Sequence, residues 1–284
     1  MTKTTCFITG ASRGFGRFAA ISLAEKFGKD LENVVLFGRD LIELEETRRL
    51  VTSESPSSRV LISPALDLAN LDDIENVFSS AVGMIRKSED VDGGVSSSSD
   101  ESETPRHRLI LINNAGNGNP VADVKDLKDL SSIRSAIDLN VTSCIWVTSF
   151  FLRLVVKQEK NCKEAIIVNV SSLAALQPFA SMGIYSIGKA ARDMLHRVVA
   201  EEHKDGGESC VVKTLNYAPG PMDTKLQDEM RSSPSMNGSI KSFFNEMAEK
   251  NTWVKIDDSA KKLATLLFEN TFSSGEHIDY YDIK

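Results

Sequence analysis

Short runs of β-branched and aliphatic residues alternate along the chain with longer runs in which apolar residues recur every three or four positions. The short runs are Thr4–Thr9, Asn33–Phe37, Val60–Leu66, Leu109–Asn113, Ala165–Val170 and Cys210–Asn216, with a last one near Glu276–Tyr280. Several are apolar at nearly every position, which predicts strands covered on both faces. The longer runs predict helices over Phe15–Phe27, Leu41–Val51, Leu71–Arg86, Ser131–Lys157, Ile184–His203 and Asp258–Glu269. Ile184–His203 is the cleanest, because Ile187, Ala190, Ala191, Met194, Leu195, Val198 and Val199 form one apolar stripe at helical spacing. This alternation predicts a doubly wound α/β fold of the Rossmann type, a parallel sheet of about seven strands with helices on both faces. No repeat or linker sets off a second core, so residues 1–284 are expected to form one domain.

Residues Lys87–Arg108 break the pattern. They are polar, acidic and Ser-rich, and such a tract cannot bury enough apolar surface to offset its ordering entropy. A flexible surface loop is expected between the third helix and the fourth strand. Ser97, Ser98 and Ser99 precede acidic residues, so phosphorylation is one reading, and a tolerated loop insertion is the plainer one.

Charge narrows the function classes. Of 284 residues, 33 are Lys or Arg and 40 are Asp or Glu, a net charge of −7. That balance supplies no basic face for nucleic acid and no membrane-surface signature. The most apolar stretch, Cys144–Val156, is interrupted by Thr148, Ser149 and Arg153 and is too short by itself to cross a bilayer. Cys6, Cys144, Cys162 and Cys210 lack CxxC spacing and have apolar neighbours, so all four are expected as reduced core residues. His107, His196, His203 and His277 are equally scattered, without the spacing of a metal site. The N-terminal MTKTTCFITGAS carries no signal-peptide apolar region, and a soluble cytoplasmic protein is expected.

The first chemical signal is Thr9-Gly10-Ala11-Ser12-Arg13-Gly14-Phe15-Gly16, directly after a strand and opening a helix. In that setting glycines let the backbone approach a pyrophosphate, and the helix N-terminus offers it unpaired N–H groups. A dinucleotide site selecting NAD usually carries an acid at the tip of the second strand. Here the chain reads Gly38-Arg39-Asp40, and Arg13 with Arg39 suits a 2′-phosphate, which favours NADP. Asp40 speaks against this unless it caps the following helix.

The second signal is Tyr185-Ser186-Ile187-Gly188-Lys189. On a helix i and i+4 share a face, so the Lys189 ammonium is expected beneath the Tyr185 phenol, lowering its pKa and making it a usable general acid. Alone, such a short pattern occurs often by chance. Ser172, thirteen residues earlier at the end of a predicted strand, adds a hydroxyl that can hydrogen-bond the same carbonyl oxygen. Adjacent Ser171 competes for that assignment.

Together the TGASRGFG loop, Asn113-Asn114-Ala115-Gly116, the Ser172–Tyr185–Lys189 set and Pro219-Gly220 resemble the short-chain dehydrogenase/reductase family along the whole chain except the Ser-rich tract. The resemblance implies that Ser172 polarises a carbonyl and Tyr185 delivers the proton. Lys189 would hold the nicotinamide ribose, while Asn140 steadies a water in the proton relay. It also implies cofactor contacts from Asp67, Leu68, Asn114, Ala115 and Gly116. Longer matches, Ser171–Phe179, Gly188–Leu195, Asn216–Thr224 and Gly275–Asp282, resemble a branch of that family that reduces the side-chain ketones of pterins with NADPH. That likeness implies a pterin anchored by Asp279 in a pocket lined by Leu173 and Gly220. Met222, Asp223, Thr224, Lys225, Leu226 and Gln227 would fold over the cofactor, opening a mobile substrate loop that continues toward Lys250. Homodimers pairing through Ser131–Lys157 and Ile184–His203 are implied as well. Asp40, the Ser-rich insertion and Asn117-Gly118-Asn119 depart from the pattern. Two other readings stand beside this one: an NADPH reductase of diketones, quinones or steroids, and a non-catalytic NADP-binding or scaffolding module.

Overall fold

The structure, a computed structural model, describes residues 2–92, 106–157, 159, 161–205 and 210–283. Among them seven strands form one parallel sheet: β1 (Thr2–Thr9), β2 (Leu31–Phe37), β3 (Arg59–Ile62), β4 (Arg106–Asn113), β5 (Cys162–Val170), β6 (Val211–Ala218) and β7 (Glu276–Asp279). Their spatial order is β3-β2-β1-β4-β5-β6-β7. The order reverses between β1 and β4, which opens a crevice at the carboxyl ends of the strands, where ligands of open α/β sheets bind.

Side chains alternate across the sheet. Cys6, Ile8, Val34, Leu36, Ile110, Ile112, Ile166 and Val168 meet the helices α1 (Gly14–Phe27), α2 (Leu41–Glu54) and, late in the chain, Ile256–Glu269. Phe7, Val35, Phe37, Leu109, Leu111 and Ile167 point the other way, toward α3 (Ile74–Asp92), the long helix after β4 and the helix after β5. The long helix is not uniform. It runs as α4 (Leu130–Ile137), a wide turn at Asp138–Thr142, α5 (Ser143–Phe150) and a second wide stretch at Phe151–Val156. By length and composition Leu130–Arg153 could cross a bilayer, more than the apolar stretch alone suggests; here Ala136, Cys144, Val147 and Phe150 are buried. After β5 comes α6 (Gly183–Glu202).

Several boundaries differ from expectation for local reasons. β3 stops at Ile62 rather than Leu66, because Pro64 has no N–H for a strand ladder, and Leu66 N–H bonds to Gly38 O instead. Lys87–Asp92 extend α3 and Arg106–Arg108 begin β4, so the expected loop is shorter than 87–108; its remainder, with Ser97–Ser99, lies outside the described residues. The segment after β6 is helical, with α7 (Lys225–Ser232) and α8 (Gly238–Lys250) ahead of α9 (Ile256–Glu269). Thr224 and Asn237 cap these helices with their side chains, accepting from Gln227 N–H and from Ser239 and Ile240 N–H.

Two cysteines correct the expectation of four free thiols. Cys162 and Cys210 form a disulfide between the start of β5 and the residue before β6, with Cα atoms 5.1 Å apart. Pairing of Glu164 with Val211 brings those two strand starts together, a proximity that a separation of 48 residues conceals. Cys6 and Cys144 are free and buried.

Candidate active site

A cleft of about 1550 Å³ runs along the carboxyl ends of the strands, from the Gly-rich loop after β1 to Asp279 at the end of β7. At its first end lie Gly10, Ser12, Arg13, Gly14 and Phe15. Arg13 precedes α1 with no side-chain cap, and the first turn carries no acid. The N–H groups there are therefore left for an anion, and the residues fit a dinucleotide pyrophosphate. Ala11 and Gly16 do not line the cleft. Ala11 is buried and its N–H bonds to Phe37 O, while a Cβ on Gly16 would stand 2.4 Å from Gly10 O. Gly16 thus permits the tight return of α1 onto the loop, and both residues shape the cradle from behind. Asn114 braces it, its Nδ2 donating to Thr9 O (2.9 Å) and Gly10 O (3.1 Å).

Farther along, Arg39 is exposed and its Nη1 stands 3.5 Å from Asp67 Oδ2. Asp40 Oδ1 accepts from Glu43 N–H at 3.2 Å, so its carboxylate caps α2. Asp67, Leu68, Ala115 and Gly116 line the cleft, and so do Leu41 and Ile42, which the sequence did not single out. Ile42 is 84% exposed, an apolar side chain with no protein partner to cover it.

The centre of the cleft holds Ser172, Tyr185 and Lys189. Ser171 and Ser172 separate cleanly: Ser171 is buried and donates to Asp193 Oδ1 at 2.5 Å, whereas Ser172 interacts with the Tyr185 hydroxyl. Ser172 Oγ also accepts from Ala174 N–H at 3.2 Å. Burial raises the Tyr185 phenol above its ordinary value, against smaller opposing effects from Ser172 and the Arg192 charge. This corrects the expectation of a lowered phenol. Lys189 Nζ donates to Val170 O at 2.6 Å and stands 5.6 Å from the centre of the Tyr185 ring. Burial, helped by Arg192, brings Lys189 down to about 7.

Asn140 lies beneath the cleft rather than in its wall. It sits in the wide turn Asp138–Thr142, a helix irregularity that recurs at functional sites. Its Oδ1 accepts from Asn117 N–H at 2.9 Å and its Nδ2 donates to Asn117 O at 3.2 Å. Gly188 makes room for it, since a Cβ there would stand 3.1 Å from Asn140 Cβ.

The far end is lined by Leu173, Gly220, Met222, Thr224, Lys225, Leu226, Gln227 and Asp279. Asp223, between Met222 and Thr224, is exposed and is not among the residues lining the cleft. Asp279 Oδ1 accepts from Tyr281 N–H at 3.0 Å, and its second oxygen has no partner among the described hydrogen bonds.

The sequence reading missed what supports this centre. Arg192 is buried, its Nε donating to Asn169 Oδ1 (2.8 Å), its Nη1 to Ala115 O (2.9 Å) and its Nη2 to Asn113 O. Asp193 accepts from Asn169 Nδ2 (2.8 Å) and faces His277 Nδ1 at 2.6 Å. His196, fully buried, is pushed down to about 4 by desolvation and is neutral in the fold. Among the described residues no group of three or more His, Cys, Asp or Glu is arranged to hold a metal.

The chain has relatives in keeping with this geometry. Residues 102–235 match the family described as short chain dehydrogenase. A sepiapterin reductase from Rattus norvegicus is 34% identical over 283 residues, covering 98% of this chain and 96% of that protein. A benzil reductase ((S)-benzoin forming) from Bacillus subtilis is 27% identical, covering 98% and 97%. The structure of a short chain dehydrogenase/reductase from Saccharomyces cerevisiae shares the fold, with a TM-score of 0.74 at 22% identity over 99% of this chain and 96% of that one.

Proposed function

The chain belongs to the short-chain dehydrogenase family and is an oxidoreductase that reduces a ketone with a nicotinamide nucleotide; from that premise we propose that it reduces the side-chain ketones of a pterin with NADPH. The substrate would be sepiapterin or 6-pyruvoyl-tetrahydropterin, on the route to tetrahydrobiopterin. The observation that carries the pterin reading is Asp279, a carboxylate on the wall of the cleft that holds Tyr185, with one oxygen unpartnered among the described residues. A 2-amino-4-oxo pterin edge presents adjacent N–H donors, and a carboxylate accepts two such donors side by side. NADPH over NADH is favoured by Arg13 and Arg39, both exposed on the cleft wall, and by Asp40 being committed to its cap.

When bound, the reduced nicotinamide supplies the hydride. Ser172 donates to the substrate oxygen as negative charge grows there, and Tyr185 O–H supplies the proton. The charged Lys189, fixed by Val170 O, favours the phenolate that the transfer leaves behind. Asn140, anchored to Asn117 and packed against Gly188, would steady a water in the relay. We further propose a cytoplasmic homodimer formed through α5 and α6, whose outer faces carry exposed Ile145, Trp146, Ile187, Met194 and Val198.

The deciding experiment follows NADPH oxidation with sepiapterin and with a small 1,2-diketone. Sepiapterin turnover is expected, and Asp279→Ala should raise the KM for sepiapterin about tenfold or more, one lost charge-assisted hydrogen bond, while sparing the diketone. Equal losses on both substrates would remove Asp279 as the anchor. Turnover of the diketone alone would favour the second reading, a diketone reductase like the Bacillus relative.

A further inference from the structure

Beneath the cleft, one carboxylate receives hydrogen bonds from two elements that reach it from different sides. Asp193 is buried, and a buried carboxylate is tolerated only where its lone pairs are filled. Its Oδ1 accepts from Asn169 Nδ2 at 2.8 Å and from Ser171 Oγ at 2.5 Å, and its Oδ2 faces His277 Nδ1 at 2.6 Å. Asp193 lies on α6 four residues beyond Lys189 and eight beyond Tyr185, on the helix face they share. Ser171 precedes Ser172. His277 lies two residues before Asp279 on β7, so both side chains leave the same face of that strand. β7 is a four-residue strand that, among the described residues, lies at the sheet edge and pairs with β6 alone, which leaves its position weakly held by the sheet. The ring of His277 is used on one side: Nδ1 meets the carboxylate, and Nε2 is buried without a partner.

We propose that Asp193 is a positioning residue for the ketone reduction: it ties the Ser171–Ser172 turn, and through His277 the strand bearing Asp279, to the helix that carries Tyr185 and Lys189. The serine arm needs only the reductase activity. The histidine arm rests on Asp279 as the pterin anchor, and it adds to substrate recognition what the serine arm adds to turnover.

The test severs each arm separately, because Asp193→Ala cuts both and endangers folding. Steady-state kinetics with sepiapterin and a 1,2-diketone are compared for wild type, Ser171→Ala, His277→Leu and His277→Asn. Ser171→Ala is expected to lower kcat about tenfold on both substrates with KM nearly unchanged, the size of one charge-assisted hydrogen bond lost near the reacting centre. His277→Leu should raise the KM for sepiapterin about tenfold and change the diketone constants less than threefold. His277→Asn should stay within about threefold of wild type on both, because an Asn Nδ2 occupies the place of the His Nδ1 donor and can meet the same carboxylate. Unchanged diketone kcat in Ser171→Ala overturns the serine arm. Equal loss on both substrates in His277→Leu, or an Asn variant as impaired as the Leu one, overturns the histidine arm. If wild type fails to reduce sepiapterin, the pterin reading and the histidine arm fall together, while the diketone data still decide the serine arm.

Discussion

Tyr185 stays protonated in the resting cleft because burial outweighs the groups that would ionise it. A phenol held that way suits a proton donor to a carbonyl and needs a nearby cation only as the proton leaves. Replacing Tyr185 with Phe removes the proton and little else, so kcat should fall by ~10²–10⁴ while the NADPH Kd stays within a few-fold. Turnover close to wild type in that variant would assign the acid elsewhere. Lys189 sets the pH dependence. With a value brought down to about 7, it is an ammonium below that pH and a neutral amine above it. A neutral amine still donates to Val170 O, so what is lost on deprotonation is charge rather than placement. kcat/KM for NADPH, which reports the free enzyme, should therefore decline as pH rises through about 7. A profile level to pH 9 would mean that the charge of Lys189 in the free enzyme is not required.

At the scale of elements, the sheet was legible because strand residues buried on both faces leave an unbroken apolar trace, as in Ile110–Ile112 and Ile166–Val168. The helix carrying Tyr185 was legible in extent and not in orientation. Its apolar stripe predicts an inward face, yet Ile187, Met194 and Val198 face outward while Gly188, Arg192, Asp193 and His196 are buried. Polar residues can occupy the inner face because each finds a partner on β4, β5, β6 or β7, and those partners are remote in sequence. The same remoteness hid the Cys162–Cys210 pair. Asn140 was legible by position only, since its wide turn leaves no trace in an apolar period; Gly188 stands opposite it in the fold. That glycine gives an element-scale prediction. Gly188→Ala gains up to about 1 kcal/mol of helix propensity but presses on Asn140. Activity should fall about tenfold, as small displacements near a reacting centre do, while the Tm moves by only a few degrees. Full activity in Gly188→Ala would mean that Asn140 tolerates displacement.

For the whole molecule, the two helical layers cover both faces of the sheet, so an apolar residue left outside them has no part in the core. α5 and α6 nevertheless leave Ile145 46%, Ile187 54%, Met194 56% and Val198 45% exposed, with Trp146 partly covered by the Arg153 guanidinium. Both helices belong to the same layer, so these side chains lie on one side of the molecule, the arrangement a self-complementary two-fold interface uses. None of these five side chains lines the cleft, which opens at the strand ends. The proposed homodimer through α5 and α6 would therefore leave the mouth of the cleft open. Light scattering is expected to give about twice the 31.2 kDa chain mass for wild type and the single mass for Met194→Glu, whose carboxylate would be buried unpaired in the interface. The single-chain variant should keep kcat within about threefold, since Met194 does not line the cleft. A wild-type mass of one chain would remove the homodimer. A dissociated variant without turnover would show instead that pairing of these helices holds α6, and with it Tyr185 and Lys189, in place.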